Sequence, residues 1–451
     1  MYFLLLKRFC RSRMVIIGLL IVLLAGTASI FIGKAHLQKQ RASIEKAAHL
    51  QQEHLERNVQ FFNKDMGLLF YYLRFGLVNE THPLNALSIG QRDVNSSLQN
   101  VNIRNLEAQL YDTDLFNPYG LLAGNLDFSF VLIYLFPLLI ISFTYNLMAE
   151  EKEGGTWRLV LSQHSKPVDL LWKKLLVRAF TVLLALFLLF AIAVLVLSLP
   201  LDSALLSVAG IAVFYILFWF AVSFFVVSLQ RNSGTSAVIL ATVWLLLTIV
   251  LPGTANNYLS ARYEVPEALA TMVKQREGLH EKWDLPEEPT LKKFFAHYPQ
   301  FSKYPKPEKK RGWLWYYAAQ QMGDDESVAD SKLLRDKLWQ RENASRQLAY
   351  FVPTLHAQFQ LNHIAGSGLS NQLLFLGATE QFHEQLRLKF YPAIFEEMPV
   401  DKVDWKSVGL DSFKQELKIS CVETQLPLLL LSVLLIGLSW FNFRKNINAA
   451  N

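Results

Sequence analysis

The stretch AEEKEGGTWRLVLSQHSKPVDLLWKKLL, residues 149–176, lies between two of the most apolar runs in the chain. It opens with Glu150, Glu151 and Glu153 around Lys152 and closes on Trp172, Lys173 and Lys174. Crossing the hydrocarbon core takes about 17–25 apolar residues. Six runs approach that length: Met14–Ile32, Phe128–Met148, Leu175–Leu199, Leu205–Leu229, Ala237–Leu251 and Leu426–Phe443. The fifth is short and stops at Pro252-Gly253. The 451 residues are 52% hydrophobic and 18% charged, too apolar for a soluble protein and too polar for spans alone. Several spans with substantial polar domains follow. Lys7, Arg8, Arg11 and Arg13 precede the first run, no small-x-small cleavage site ends it, and it reads as an uncleaved span.

Orientation follows from Lys and Arg in the short flanks. The N-terminus, the segment carrying Lys152, Arg158, Lys166, Lys173, Lys174 and Arg178, the turn at Arg231, and Arg444-Lys445 are all basic. With six spans they fall on one side, which predicts a mainly α, polytopic membrane protein with both termini cytoplasmic and two helical periplasmic insertions. The expected divisions are 1–33 (N-terminus and first span), 34–127 (first periplasmic domain), 128–252 (spans two to five), 253–425 (second periplasmic domain) and 426–451 (sixth span and tail). Much of the net charge of +6 then sits at the inner membrane surface, where anionic lipid attracts it. No nucleic-acid module is legible. Cys10 and Cys421 fall at opposite faces and cannot pair.

In the first insertion Leu37, Ile44, Ala48, Leu55, Val59 and Phe62 recur at helical steps, predicting a helix that continues out of the first span and ends by Gly76 and Pro83. In the second, the prolines of DLPEEPTLKKFFAHYPQFSKYPKPEKK exclude one continuous helix. A helix over Leu314–Phe351, breaking near Gly323, and two helical halves around Gly366-Ser367-Gly368 follow.

Within the opening stretch, Trp157, Val160, Leu161 and His164 fall at i, i+3, i+4 and i+7, one face of a short helix. Ser165 can cap a second helix, Pro167 suits its first turn, and Asp169 complements its positive end. Residues 150–166 thus read as an amphipathic segment at the cytoplasmic surface. Glutamates there are repelled by anionic lipid and are better placed against a basic partner or a helix N-terminus.

EKEGGT followed by LVLSQ and LLWKKLL resembles the cytoplasmic signature of type-2 ABC exporter permeases, in which an acidic-Gly-Thr motif opens the coupling helix. NPYGLLAGNLDFSFVLIYLFPLLIISFTYNLMAEEKEGGT and FVPTLHAQFQLNHIAGSG resemble the subgroup, labelled a domain of unknown function, with two large extracytoplasmic insertions. The resemblance implies that Glu151, Glu153, Gly155 and Thr156 match the motif, and that Lys173 or Lys174 matches a lysine opening the third span. It implies that Trp157, Val160 and Leu161 dock on a cytoplasmic ABC ATPase, and that a second permease, identical or related, completes a dimer in the bacterial inner membrane. Gly366–Gly368 stands where the subgroup carries Gly-Thr-Asp. A periplasmic partner and membrane lipid are further expected contacts.

The phosphate cradle G-x-x-x-x-G-K-[ST] is absent from the sequence, so ATP and Mg are expected on a partner chain and no cofactor on this one. His49 and His54 are five residues apart, about 140° around a helix, and do not converge on one ion. His356 and His363, seven apart, do share a face, which leaves a metal contact open. The rival readings are a membrane sensor or scaffold that binds a ligand or partner through its outer domains, and ATPase-driven remodelling of an outer complex without a transported solute.

Overall fold

The computed structural model describes residues 2–110, 125–155, 167–265, 273, 276–277, 282–283, 286–304, 311–417 and 419–448. A short helix, α1 (Tyr2–Cys10), precedes α2 (Arg13–Phe61), whose 49 residues span roughly 74 Å at 1.5 Å each. That is more than twice the ~30 Å hydrocarbon core, so α2 can cross a membrane and still project well beyond it. Five more helices are long and apolar enough to cross: α4 (Phe128–Glu153), within Asp169–Leu197 of α5 (Pro167–Leu197), α6 (Ser203–Ser228), α7 (Ser233–Arg262), and within Cys421–Arg444 of α12 (Cys421–Asn448). In α6 and α4, 72% and 67% of the apolar window is buried, against 17% for α7 and 22% for α12. The first two therefore form the centre of the bundle.

In two of these helices a proline is absorbed in the same way. A π-helical turn at Val131–Leu135 precedes Pro137 in α4, and another at Leu246–Val250 precedes Pro252 in α7. Proline has no N–H to offer and its ring crowds the preceding turn, which a wider turn relieves. The carbonyls left over find side-chain donors. The buried Tyr215 hydroxyl donates to Ile133 O at 3.0 Å, and Thr354 Oγ1 donates to Leu247 O. The fifth of these helices accordingly runs past Pro252-Gly253 to Arg262, longer than its apolar run suggests.

The two outer segments, treated above as separate domains, share one core. It joins Leu55, Leu69, Phe70, Phe75 and Ile103 of the first to Phe294, Trp315, Tyr317, Phe390 and Tyr391 of the second. They also share a sheet of order β2-β1-β3, with β1 (Phe75–Asn79) antiparallel to β2 (Leu98–Val101) and parallel to β3 (Asp411–Phe413), in register Val78 against Leu98 and Ser412. Around this shared core stand α3 (Met66–Tyr72), α8 (Glu287–His297), α9 (Trp313–Ala349) and α11 (Leu369–Phe395), while α10 (Pro353–Ala365) packs Ala357, Leu361 and Ile364 into the core of the helix bundle.

Three local expectations change. The helix leaving the first span ends at Phe61, before Gly76, because Asp65 caps α3 by accepting from Leu68 N at 2.9 Å. Gly76 lies inside β1. Finally, α9 runs unbroken through Gly323, held by the buried neighbours Gln321, Met322 and Asp324.

Gly366 ends α10 in the left-handed conformation, φ 63°, which glycine adopts without strain. The chain then brings Ser367 O to Gln91 N at 2.8 Å, while Ser88 Oγ donates to Asn362 Oδ1 at 2.6 Å. The Gly-Ser-Gly stretch therefore ties the second insertion to the first. Deeper in the domain, Asp324 accepts from Leu106 N at 2.8 Å and from Arg387 Nη2 at 2.7 Å. Arg387 Nε also donates to Ile103 O at 3.2 Å, and His383 Nε2–H to Asn102 O at 2.9 Å. One buried set of side chains thus holds residues 102–107 against α9 and α11.

Candidate functional site: a charged collar at one end of the bundle

Aromatic contacts gather the ends of several helices at one place. Phe9 of α1 meets Phe143 of α4 edge-on at 5.1 Å, and Phe224 of α6 lies 4.5 Å from Trp172 of α5 and 5.3 Å from Phe443 of α12. Asn442 Nδ2 donates to Ser228 Oγ at 3.2 Å. The first helix, the start of α5 and the end of α12 therefore lie at the same end of the bundle, opposite the outer domain.

The acidic segment, Ala149–Glu153, forms a collar here, and its three carboxylates each reach a different helix while Lys152 reaches the turn between α6 and α7. Arg8 of α1 meets Glu150 at 3.3 Å. Lys174 of α5 meets Glu151 at 2.6 Å, with only 11% and 16% of the two side chains exposed. Lys152 Nζ donates to Gln230 Oε1 at 3.0 Å. Glu153 accepts from Ser233 N and Ser233 Oγ, both at 2.9 Å, at the start of α7. A carboxylate there complements the positive helix end beside the Asn232 cap, which accepts from Thr235 N at 2.8 Å. Gly155 closes the segment with φ +73° and open space where a Cβ would stand, so backbone conformation alone asks for glycine.

These contacts revise the reading of the glutamates. They were expected to await a basic partner or a helix N-terminus. Glu153 does meet a helix N-terminus, while Glu150 and Glu151 have basic partners within the chain. Lys174, rather than Lys173, reaches Glu151; Lys173 lies one residue, about 100°, around the helix. Thr156, Trp157, Val160 and Leu161 lie outside the described residues.

Sequence reasoning counted Arg178 only among the basic flanks and did not single it out as a site residue. It stands four residues after Lys174 on the same helix face, an i, i+4 signal that was available. Its side chain is buried and its guanidinium lies 5.6 Å from the Phe9 ring centroid. Arg8, Lys174, Arg178 and Asn146 line a cavity of about 170 Å³ beside the collar.

At the opposite end, Asp127 caps α4, accepting from Phe130 N and from Ile89 N, each at 2.8 Å. His356 Nε2–H donates to Thr424 O at 3.0 Å, tying α10 to α12. His356 and His363 belong to no group of three or more His, Cys, Asp or Glu side chains placed to hold a metal, among the described residues. Cys10 and Cys421, one at each end of the bundle, are unpaired and exposed.

A family model described as a domain of unknown function (DUF3526) matches residues 268–413, about a third of the chain and all within the second outer segment. No curated protein and no solved structure matches the chain.

Proposed function

We propose that the chain is the permease subunit of a bacterial ABC transporter, an exporter of the type-2 class, driven by a separate cytoplasmic ATPase. One observation carries this reading. The acidic segment is fastened to α1, α5 and α7 at once, through Arg8, Lys174 and Ser233. A displacement imposed at residues 150–166 would reach several spans together, as a coupling element requires. Glu151 and Glu153 then anchor the element to the end of the bundle, and the ATPase contact falls to Trp157, Val160 and Leu161. The collar end is cytoplasmic in this reading, on the evidence of its basic flanks, and the membrane is the bacterial inner one. The largely uncovered α7 and α12 leave surface for lipid or for a second permease, the same chain or a related one. ATP and Mg act on the partner; this chain does no hydrolysis of its own.

A second reading draws support from α2, which runs unbroken from the collar into the outer core through Leu55. A rod of that kind suits ATPase-driven remodelling of a periplasmic partner, with no solute moved. The sensor or scaffold reading has no comparable observation behind it.

The test is affinity purification of the tagged full chain from its native membrane, with ATP hydrolysis and P-loop chains measured in the eluate. Wild type should carry the ATPase. Trp157→Ser with Leu161→Ser should lose most of it, because each large side chain buried in a groove is worth roughly 1.5–3 kcal/mol. Equal ATPase recovery with that double variant at matched expression removes the coupling role, and an eluate without any P-loop chain removes the permease reading.

A further inference from the structure

Arg178 is 8% exposed, and its Nη1 is buried with no hydrogen-bond partner. A buried cationic donor without an acceptor is costly, so an anion beside it would be strongly favoured. Of the nearby carboxylates, Glu151 is held by Lys174 at 2.6 Å, while Glu150 lines the same cavity and divides its attraction between Arg178 and the exposed Arg8 without reaching Nη1. The π face of Phe9 offers Arg178 an aromatic contact but no oxygen acceptor.

The cavity it faces is two-sided. Arg8, Lys174, Arg178 and Ser12 supply donors, three cations against the one carboxylate of Glu150, while Met14, Val15, Phe143 and Val177 supply apolar wall. Its volume of about 170 Å³ is many times the roughly 10–15 Å³ that one water requires. It also lies where a headgroup would lie. Met14 opens the apolar run of α2, and Leu175 opens that of α5, so the cavity sits at the boundary between charged collar and apolar bundle. Beside it α1 exposes Tyr2, Phe3 and Leu4, an apolar face suited to lie against acyl chains.

We propose that this cavity binds the phosphate of an anionic membrane phospholipid, with Arg178 as the central ligand, Arg8 and Lys174 beside it, and the acyl chains leaving along Met14 and Val177. A soluble phosphate shares the headgroup chemistry but leaves the apolar wall unfilled, which is why the lipid is the occupant chosen. The site depends on membrane placement alone and not on any ATPase.

The experiment titrates full-length protein in mixed micelles with phosphatidylglycerol or phosphatidylcholine of identical acyl chains, counting bound lipid per chain by native mass spectrometry. Phosphatidylglycerol should be retained preferentially. Arg178→Gln should weaken its retention by roughly ten- to hundredfold, the range for losing one charged hydrogen bond. Arg178→Lys should restore part of it, and the remote Lys46→Gln should leave it unchanged. Equal retention of the two lipids, an unaltered Arg178→Gln, or an equal loss in Lys46→Gln overturns the proposal. Inorganic phosphate titrated alone should not displace the lipid; displacement at comparable concentration assigns the site to a soluble anion instead. Should Arg178→Gln fail to fold, Arg8→Gln decides the matter, because its side chain is 79% exposed. A several-fold loss of phosphatidylglycerol in that variant supports the site, and wild-type retention overturns it.

Discussion

Asp324 and Arg387 meet at 2.7 Å in the outer domain with 7% and 3% of their side chains exposed, whereas Glu150 and Arg8 meet at 3.3 Å in the collar with 44% and 79% exposed. Both are ion pairs between segments far apart in sequence, yet they serve different ends. In the domain, the surrounding backbone completes the pair: Leu106 N serves Asp324, and Ile103 O serves Arg387. Neither ion can be re-solvated without opening the core. In the collar, water is the alternative partner for Arg8 and Glu150, so that pair can be exchanged for another at little cost. The exposed pair is thus exchangeable where the buried pair is fixed, and within the collar the nearly buried Lys174–Glu151 pair, 11% and 16% exposed, stands closer to the latter.

The largest effect expected follows from breaking the buried pair. Asp324→Ala should destabilise the outer domain by about 3–5 kcal/mol, because Arg387 is left charged and buried. Asp324→Leu with Arg387→Met should recover much of that loss. Amide hydrogen exchange along residues 98–107 and 369–395 reads this directly, since it reports local opening. If Asp324→Ala left those amides as protected as wild type, the contrast between the two networks would be lost.

A middle-sized effect concerns pH. Burial in the domain core, and then the neighbouring Arg387 charge, hold the His383 imidazole well below the ordinary histidine range. The unfolded chain therefore binds this proton more tightly than the folded one, and stability rises with pH wherever the two differ. The contribution is complete above the unfolded value near 6.5. It falls by up to about 1.4 kcal/mol per unit as pH drops below that. Comparing domain protection at about pH 7.5 and 5.5 tests this; His383→Gln should flatten the dependence, and an identical slope in that variant would assign the effect to other groups.

The smallest effect belongs to the collar. Arg8→Gln should change stability by less than about 1 kcal/mol, measured as a thermal midpoint in detergent. A loss as large as that of Asp324→Ala would show that the exposed pair is a structural element after all, and would erase the distinction drawn between the two ends.

How much of this was legible beforehand differs from region to region. The six apolar runs were, because length and hydropathy alone decide whether a helix can cross. The helical step from Leu37 to Val59 and the break at Gly366 were legible too, since periodicity and left-handed glycines act over a few residues. The extension of α7 past Pro252 was not. The donor for Leu247 O comes from Thr354, more than a hundred residues away, and no local signal announces it. The collar was half legible. Its acidic character and Gly155 stood out, but the choice of Lys174 over Lys173, and the isolation of Arg178, depend on how α1, α4 and α5 are turned toward one another.

By itself, then, the sequence determined which segments are helical and apolar enough to cross, and where short-range capping begins or ends them, because those free energies are set within a few turns of chain. Only the tertiary structure decided that β1 pairs with a strand more than three hundred residues later, that two insertions form one core, and which helix each glutamate of the collar binds. Those outcomes rest on burial and charge pairing between distant segments, and a linear pattern carries no record of which distant partner will be near.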